Sequence, residues 1–305
     1  QQQQAQEIAA AQLILEAGLK LSYWIEIARC PELADTHPEW MATLQGHPKW
    51  RRLFPGVPEP RQDEVIRNYP WVPILYQEAF DSHLLRVQRL LNDAPIASAI
   101  FLNGLQGGPS ACGCGNSLCR WTAHYGPIKT ATPIDEGAAA TFVAAVEKIQ
   151  PDVQVIPVWL TECEKHDCTP EGLCAGVGCF DGICWRAWEQ QLTPVAEHSN
   201  LIGALMPYKL FQRDLPIYGE TGGWVRHCIR NFEQMPAIHS GRSIPANRLI
   251  AVIQGWDVTP EEIHAQQRQV HDAGAAGFVL IRSPLDQSWT PQLHHLPAEN
   301  ESPEN

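Results

Sequence analysis

Eight of the chain's ten cysteines fall between Cys112 and Cys184. Three stand in the run Cys112-Gly-Cys114-Gly-Asn-Ser-Leu-Cys119, and Cys163, Cys168, Cys174, Cys179 and Cys184 follow in a second stretch. Sulfur at this density implies a metal site, an iron–sulfur site or a local mesh of disulfides. Thiolates hold Zn²⁺ tetrahedrally, and Cys-x-Cys-x4-Cys, with Gly113 and Gly115 easing the turn, supplies three ligands. A fourth would come from Cys163 or another cysteine of the second stretch, whose remainder would form a further metal site or two disulfides. The spacing differs from the common ferredoxin run, which ranks an iron–sulfur cluster behind zinc. Cys-x-x-Cys-His is absent, which excludes covalently attached c-type haem. An even cysteine count equally fits a secreted chain. Disulfides would place the protein outside the cytoplasm, whereas a thiolate metal leaves the cytoplasm open. His124, His166 and Asp167 are auxiliary ligands or plain loop polarity, and Cys30 and Cys228, apart from the cluster, read as core thiols.

A second set of residues suits acid–base chemistry. Glu26 lies inside the apolar run Trp-Ile-Glu-Ile, where a carboxylate must be paired, ligating or functional, because burying it alone is costly. Glu162 directly follows Val-Trp-Leu-Thr and is the first choice for an acid/base group. Asp257 follows Gln254-Gly-Trp256. Two carboxylates flanking a scissile bond would serve glycoside hydrolysis. The plainer readings are an ion pair of Glu26 with Arg29 or Arg282, a structural role for Glu162, and a helix-start role for Asp257 ahead of Thr259. Trp24, Trp159 and Trp256 offer flat apolar surfaces to sugar rings or serve as packing. Tyr208, Arg282 and Asn103 are candidate substrate-orienting groups.

The elements that position these residues alternate. A helix is predicted over 1–18, then strands at 21–28, 71–76, 97–102, 153–160, 201–206, 249–253 and 277–281, with a loop rich in Pro, Trp and His over 31–70. Phe80, Leu84, Val87 and Leu91 recur at helical spacing, and Phe142, Val146 and Ile149 do so after a candidate N-cap, Asp135. Further helices are predicted over 183–195 and 224–232. Thr259-Pro-Glu-Glu262 is a capping box with Pro at the first helical position, so a helix to about residue 273 follows. Each strand is a nearly continuous apolar run, as in a parallel sheet covered by helices on both sides.

A doubly wound sheet and a (β/α)8 barrel both fit that rhythm. The absence of a Gly-rich phosphate loop after any strand, together with polar or aromatic residues at every strand end, favours the barrel. The expected organisation is a single α/β domain over 1–296, a (β/α)8 TIM-type barrel with Cys-rich loops at about 105–131 and 163–184, and a disordered tail over 297–305. Only seven strands are legible, so the first would lie upstream or another segment would close the ring. The opening Gln-Gln-Gln-Gln reads as a processed product or a piece of something longer.

Composition narrows the partners. A net charge of −12 argues against nonspecific nucleic-acid binding, which needs Lys and Arg to neutralise phosphates. No apolar stretch approaches the ~20 residues of a membrane helix. A carbohydrate or other small molecule is the expected ligand.

The stretch from Phe101 to Trp121, a strand, a Gly-rich turn and then Cys-x-Cys-x4-Cys-Arg-Trp, resembles the cysteine knuckle of barrel glycosidases of the family 42 β-galactosidase type. In that family the cysteines after a central strand hold a structural zinc. The resemblance implies Cys112, Cys114 and Cys119 as zinc ligands and a glycoside hydrolase-like barrel. It covers about 20 residues and the general βα rhythm. The family's acid/base Glu sits in an Asn-Glu pair, where this chain has Asn103-Gly104. Its nucleophilic Glu follows the seventh strand, where this chain has Gln254-Gly-Trp-Asp257. The family's pair is therefore not carried over, and hydrolysis would need Glu162 with Glu26 or Asp257. Two further expectations stand beside hydrolysis: a catalytically silent barrel that binds carbohydrate or protein, and a metalloenzyme whose Cys-bound metal keeps an open position served by Glu162 or Glu164.

Overall fold

The computed structural model describes residues 2–41, 56, 59–74, 77–105, 137–160, 194–207, 222–239, 244–283 and 290–295. These residues form an α/β fold around six parallel strands curled into a half-barrel. The strands are β1 (Ser22–Glu26), β3 (Ala99–Asn103), β4 (Gln154–Leu160), β5 (Ile202–Met206), β6 (Leu249–Gln254) and β7 (Gly277–Ile281). They lie in sequence order, β1-β3-β4-β5-β6-β7, all parallel. A doubly wound sheet reverses its strand order at a switch point. No such reversal occurs here, so the winding is that of a barrel wall.

The strand expected over 71–76 is absent as a parallel strand among the described residues. Trp71 makes only an isolated antiparallel bridge with Arg29, and Val72 N–H donates to Ala28 O at 2.8 Å. Pro70 and Pro73 deprive this apolar run of ladder donors. Instead, β2 (Glu64–Tyr69) pairs antiparallel with β8 (Thr290–His295) in a separate two-stranded ribbon. The stretch read as a 31–70 loop therefore holds β2 and also a short helix, α2 (Pro31–Thr36).

The longer helices among the described residues are α1 (Gln2–Glu16), α3 (Gln77–Asp93), α4 (Ala138–Ile149), α5 (Gly223–His239) and α6 (Pro260–Asp272). Helix α1 ends where expected, because Gly18 takes φ 72° and the Gly18 and Leu19 N–H groups bond back to Leu15 and Ile14 carbonyls. The capping box of α6 is formed as read, with Glu262 N–H on Thr259 Oγ1 at 3.2 Å and Thr259 N–H on Glu262 Oε2 at 2.7 Å. The candidate cap Asp135 lies outside the described residues. Residues 194–198 are helical, and the rest of the helix expected over 183–195 lies outside the described residues.

Side chains alternate across each strand. Ile100, Leu102, Ile202, Ala204, Met206, Ala251 and Ile253 face the helices, joining Val87, Phe142, Trp224 and Phe232 in the main core. The opposite face carries Val158, Leu205 and Val252, with Trp24, Phe101, Val279 and Ile281 packed against them. The helices thus cover one side of the sheet, and this second apolar layer forms the floor of the curled side.

Candidate functional site

The second layer ends in polar residues at the C-terminal strand ends. Two residues beyond Trp24 on β1 comes Glu26, and two beyond Phe101 on β3 comes Asn103. The parallel register sets Trp24 beside Phe101 and Glu26 beside Asn103. The two rings stack with centroids 6.0 Å apart and planes at 20°. Above them Asn103 Nδ2 donates to both Glu26 oxygens, at 2.9 Å to Oε1 and 3.0 Å to Oε2. Trp24 Nε1 donates to Glu26 Oε1 at 2.7 Å. Glu26 and Trp24 are half-buried, and Asn103 is buried.

This answers the question raised by a carboxylate in an apolar strand. Glu26 is satisfied by two neutral donors and, among the described residues, makes no ion pair with Arg29 or Arg282. Arg86 of α3, which the sequence reading passed over, reaches the same strand end and donates from Nη2 to Glu26 O at 2.6 Å. The one signal for it lay in its own helix, one position before Val87 of the buried stripe. A cavity of about 600 Å³ opens beside β1, lined by Trp24, Glu26, Arg29 and Arg86 and walled by Ile8 and Ile14 of α1.

The end of β6 contributes differently. Gln254 is buried, and its Nε2 donates to Trp256 O at 3.0 Å. Gly255 N–H donates to Ile281 O at 2.7 Å, and a Cβ on Gly255 would meet that oxygen at 2.8 Å, so only glycine allows β6 and β7 to approach this closely. Trp256 is half-buried, and Asp257 is exposed at φ 52°, the left-handed region that Asp and Asn tolerate best after Gly. That turn hands the chain to the Thr259 cap, in line with the helix-start reading of Asp257. Asp257 stands beyond β6, and β3, β4 and β5 separate that strand from β1. Arg282 is exposed just past β7.

Trp159 needs correction as a sugar platform. It shares the helix-facing alternation of β4 and is 0 % exposed within the main core, so it presents no ring face to a ligand in this structure. Trp24 keeps a partly exposed ring, but its indole N–H is committed to Glu26. Cys30 and Cys228 are buried, as core thiols should be. Glu162, Glu164, Tyr208, Cys112, Cys114, Cys119, Cys163, Cys168, Cys174, Cys179 and Cys184 lie outside the described residues. Among the described residues no group of three or more His, Cys, Asp or Glu is placed to hold a metal. Within the same residues no helix is long and apolar enough to cross a membrane.

Comparison of the chain with models of known protein families gives no match, and comparison with curated protein sequences gives none either.

Proposed function

We propose that the curled sheet belongs to a (β/α)8-type barrel whose C-terminal mouth acts on or binds carbohydrate, with Glu26 as its fixed carboxylate. The observation that carries this reading is the Glu26 carboxylate itself, held by Trp24 and Asn103 at the strand ends where barrel enzymes place their chemistry. A half-buried carboxylate beside an aromatic pair suits a ring that is apolar on its faces and hydroxylated at its rim. Glu162, two residues after β4 in the sequence, would supply the proton-transfer partner, and Trp256 a second flat surface.

The test is hydrolysis of a panel of aryl glycosides by the wild type and Glu26→Gln, with binding of the parent sugars measured alongside. Loss of turnover by roughly 10²–10⁴-fold with sugar binding retained is the expected result. Sugar binding without wild-type turnover on any substrate would make the protein a silent carbohydrate-binding barrel. Neither binding nor turnover would sink the carbohydrate reading.

The cysteine stretches would hold structural zinc that braces loops at this mouth. Elemental analysis with a thiol count on the same denatured sample should give one or two zincs per chain and mostly reduced thiols after chelation. No metal and almost no thiol would replace zinc with disulfides, and iron with sulfide would redirect the site to redox chemistry.

A further inference from the structure

The backbone of Glu26 is held as well as its carboxylate. Leu21 O accepts from Ser98 N–H at 2.8 Å, and Ile27 N–H donates to Asn103 O at 2.8 Å, so residues 21, 23, 25 and 27 direct their peptide groups toward β3. By the two-residue period, the N–H and C=O groups of Ser22, Trp24 and Glu26 face the other edge. No strand among the described residues pairs with that edge. Arg86 takes the place of one at Glu26 O, and the same Nη2 lies 3.3 Å from Ile27 O. On the side chain, an indole N–H and an amide NH₂ can only donate, so both carboxylate oxygens are cast as acceptors. Oε1 accepts twice and Oε2 once.

We propose that Trp24, Asn103 and Arg86 are positioning residues that fix Glu26 as an electron-pair donor, a nucleophile or general base, with the remaining lone pair of Oε2 presented to the ligand. This rests on reading the strand ends as the functional mouth. It assigns Glu26 to the side of the chemistry that gives electrons and leaves proton donation to another group. It also gives Trp24 and Asn103, read from the sequence as ligand contacts, the task of holding the group that acts on the ligand.

The indole ¹H–¹⁵N resonance of Trp24 in the full chain, assigned by its loss in Trp24→Phe, reads this arrangement directly. It should exchange slowly with solvent and shift in Glu26→Gln. Asn103→Leu and Arg86→Met should each speed its exchange at least about fivefold, the scale of one lost hydrogen bond. Arg86→Lys, which keeps a donor, should recover part of the protection. The indoles of Trp71, Trp159 and Trp224, at 2 %, 0 % and 1 % exposure, should stay unchanged and report an intact fold. If Asn103→Leu does not fold, Asn103→Ser takes its place.

Unchanged Trp24 exchange in the Asn103 and Arg86 variants would overturn the proposal. So would an equal rise at all four indoles in every variant, because that marks a general loosening. Methyl β-galactoside and methyl β-glucoside added to the same samples separate the two readings. A protected Trp24 indole with no sugar-induced shift retains the positioning set and sinks the carbohydrate reading. An unprotected indole with sugar-induced shifts does the reverse.

Discussion

Acidifying the protein from pH 6.5 to pH 4 should cost about 3 kcal/mol of stability through one imidazole, that of His83. This side chain on α3 is 0 % exposed, and its Nε2 lies 2.7 Å from Val72 O, to which it donates as the neutral ring. Burial, and then the neighbouring Arg86 charge, push its pKa from 6.5 down to about 3, against a smaller opposing effect of the Val72 bond. The unfolded chain takes up the proton near 6.5, whereas the folded chain refuses it until about 3. Across that window the unfolded state holds more protons, so stability rises with pH and is complete above about 6.5. The slope reaches ~1.4 kcal/mol per pH unit. Carboxylates titrating in the same range add their own dependence, and His83→Gln removes only the imidazole's share, because its amide still donates to Val72 O. Urea midpoints should therefore fall more steeply with acid in the wild type than in His83→Gln. Parallel curves would show that His83 is not the cause.

Phe142→Ala should destabilise the protein by about 3–5 kcal/mol. Phe142 on α4 is 0 % exposed and meets Phe80 of α3 edge-on, with centroids 5.1 Å apart and planes at 78°. The pair joins two helices that cover the same face of the sheet, so truncation removes a ring from the main core and leaves a cavity between elements that cannot close independently. Phe142→Leu keeps most of the volume and should cost less than half as much. Urea denaturation of both variants checks the order. A loss below about 1 kcal/mol for Phe142→Ala would mean that the gap collapses easily.

The six parallel strands were legible because each is an apolar run flanked by turn residues, and 202–206 is buried at every position. The run Trp71-Val-Pro-Ile74 misled for the same reason, since apolarity was counted and the two proline-lost donors were not. The β2–β8 ribbon escaped notice because Glu-Val-Ile-Arg-Asn-Tyr and Thr-Pro-Gln-Leu-His-His carry too few apolar residues to look like paired strands. Glu26 stood out correctly as a carboxylate needing partners. Sequence proximity then pointed to Arg29, whereas the partner is Asn103, 77 residues away and directly opposite in the register. Such a neighbour exists only once two strands are aligned. Trp159 was read for what tryptophan can do at a surface, but the alternation along β4 turns it toward the helices.

The side chain of Gln266 on α6 behaves like one residue of a neighbouring strand. Its Oε1 accepts from Gln254 N–H at 3.0 Å, and its Nε2 donates to Gln254 O at 2.8 Å. A helix joined to a strand end through such a ring of two bonds cannot slide along its axis or roll without breaking both together. The end of β6 and the middle of α6 therefore move as one body. On the β1 side, among the described residues, a single guanidinium stands where a neighbouring strand would bond Glu26 O, so that rim is tied to α3 through one side chain.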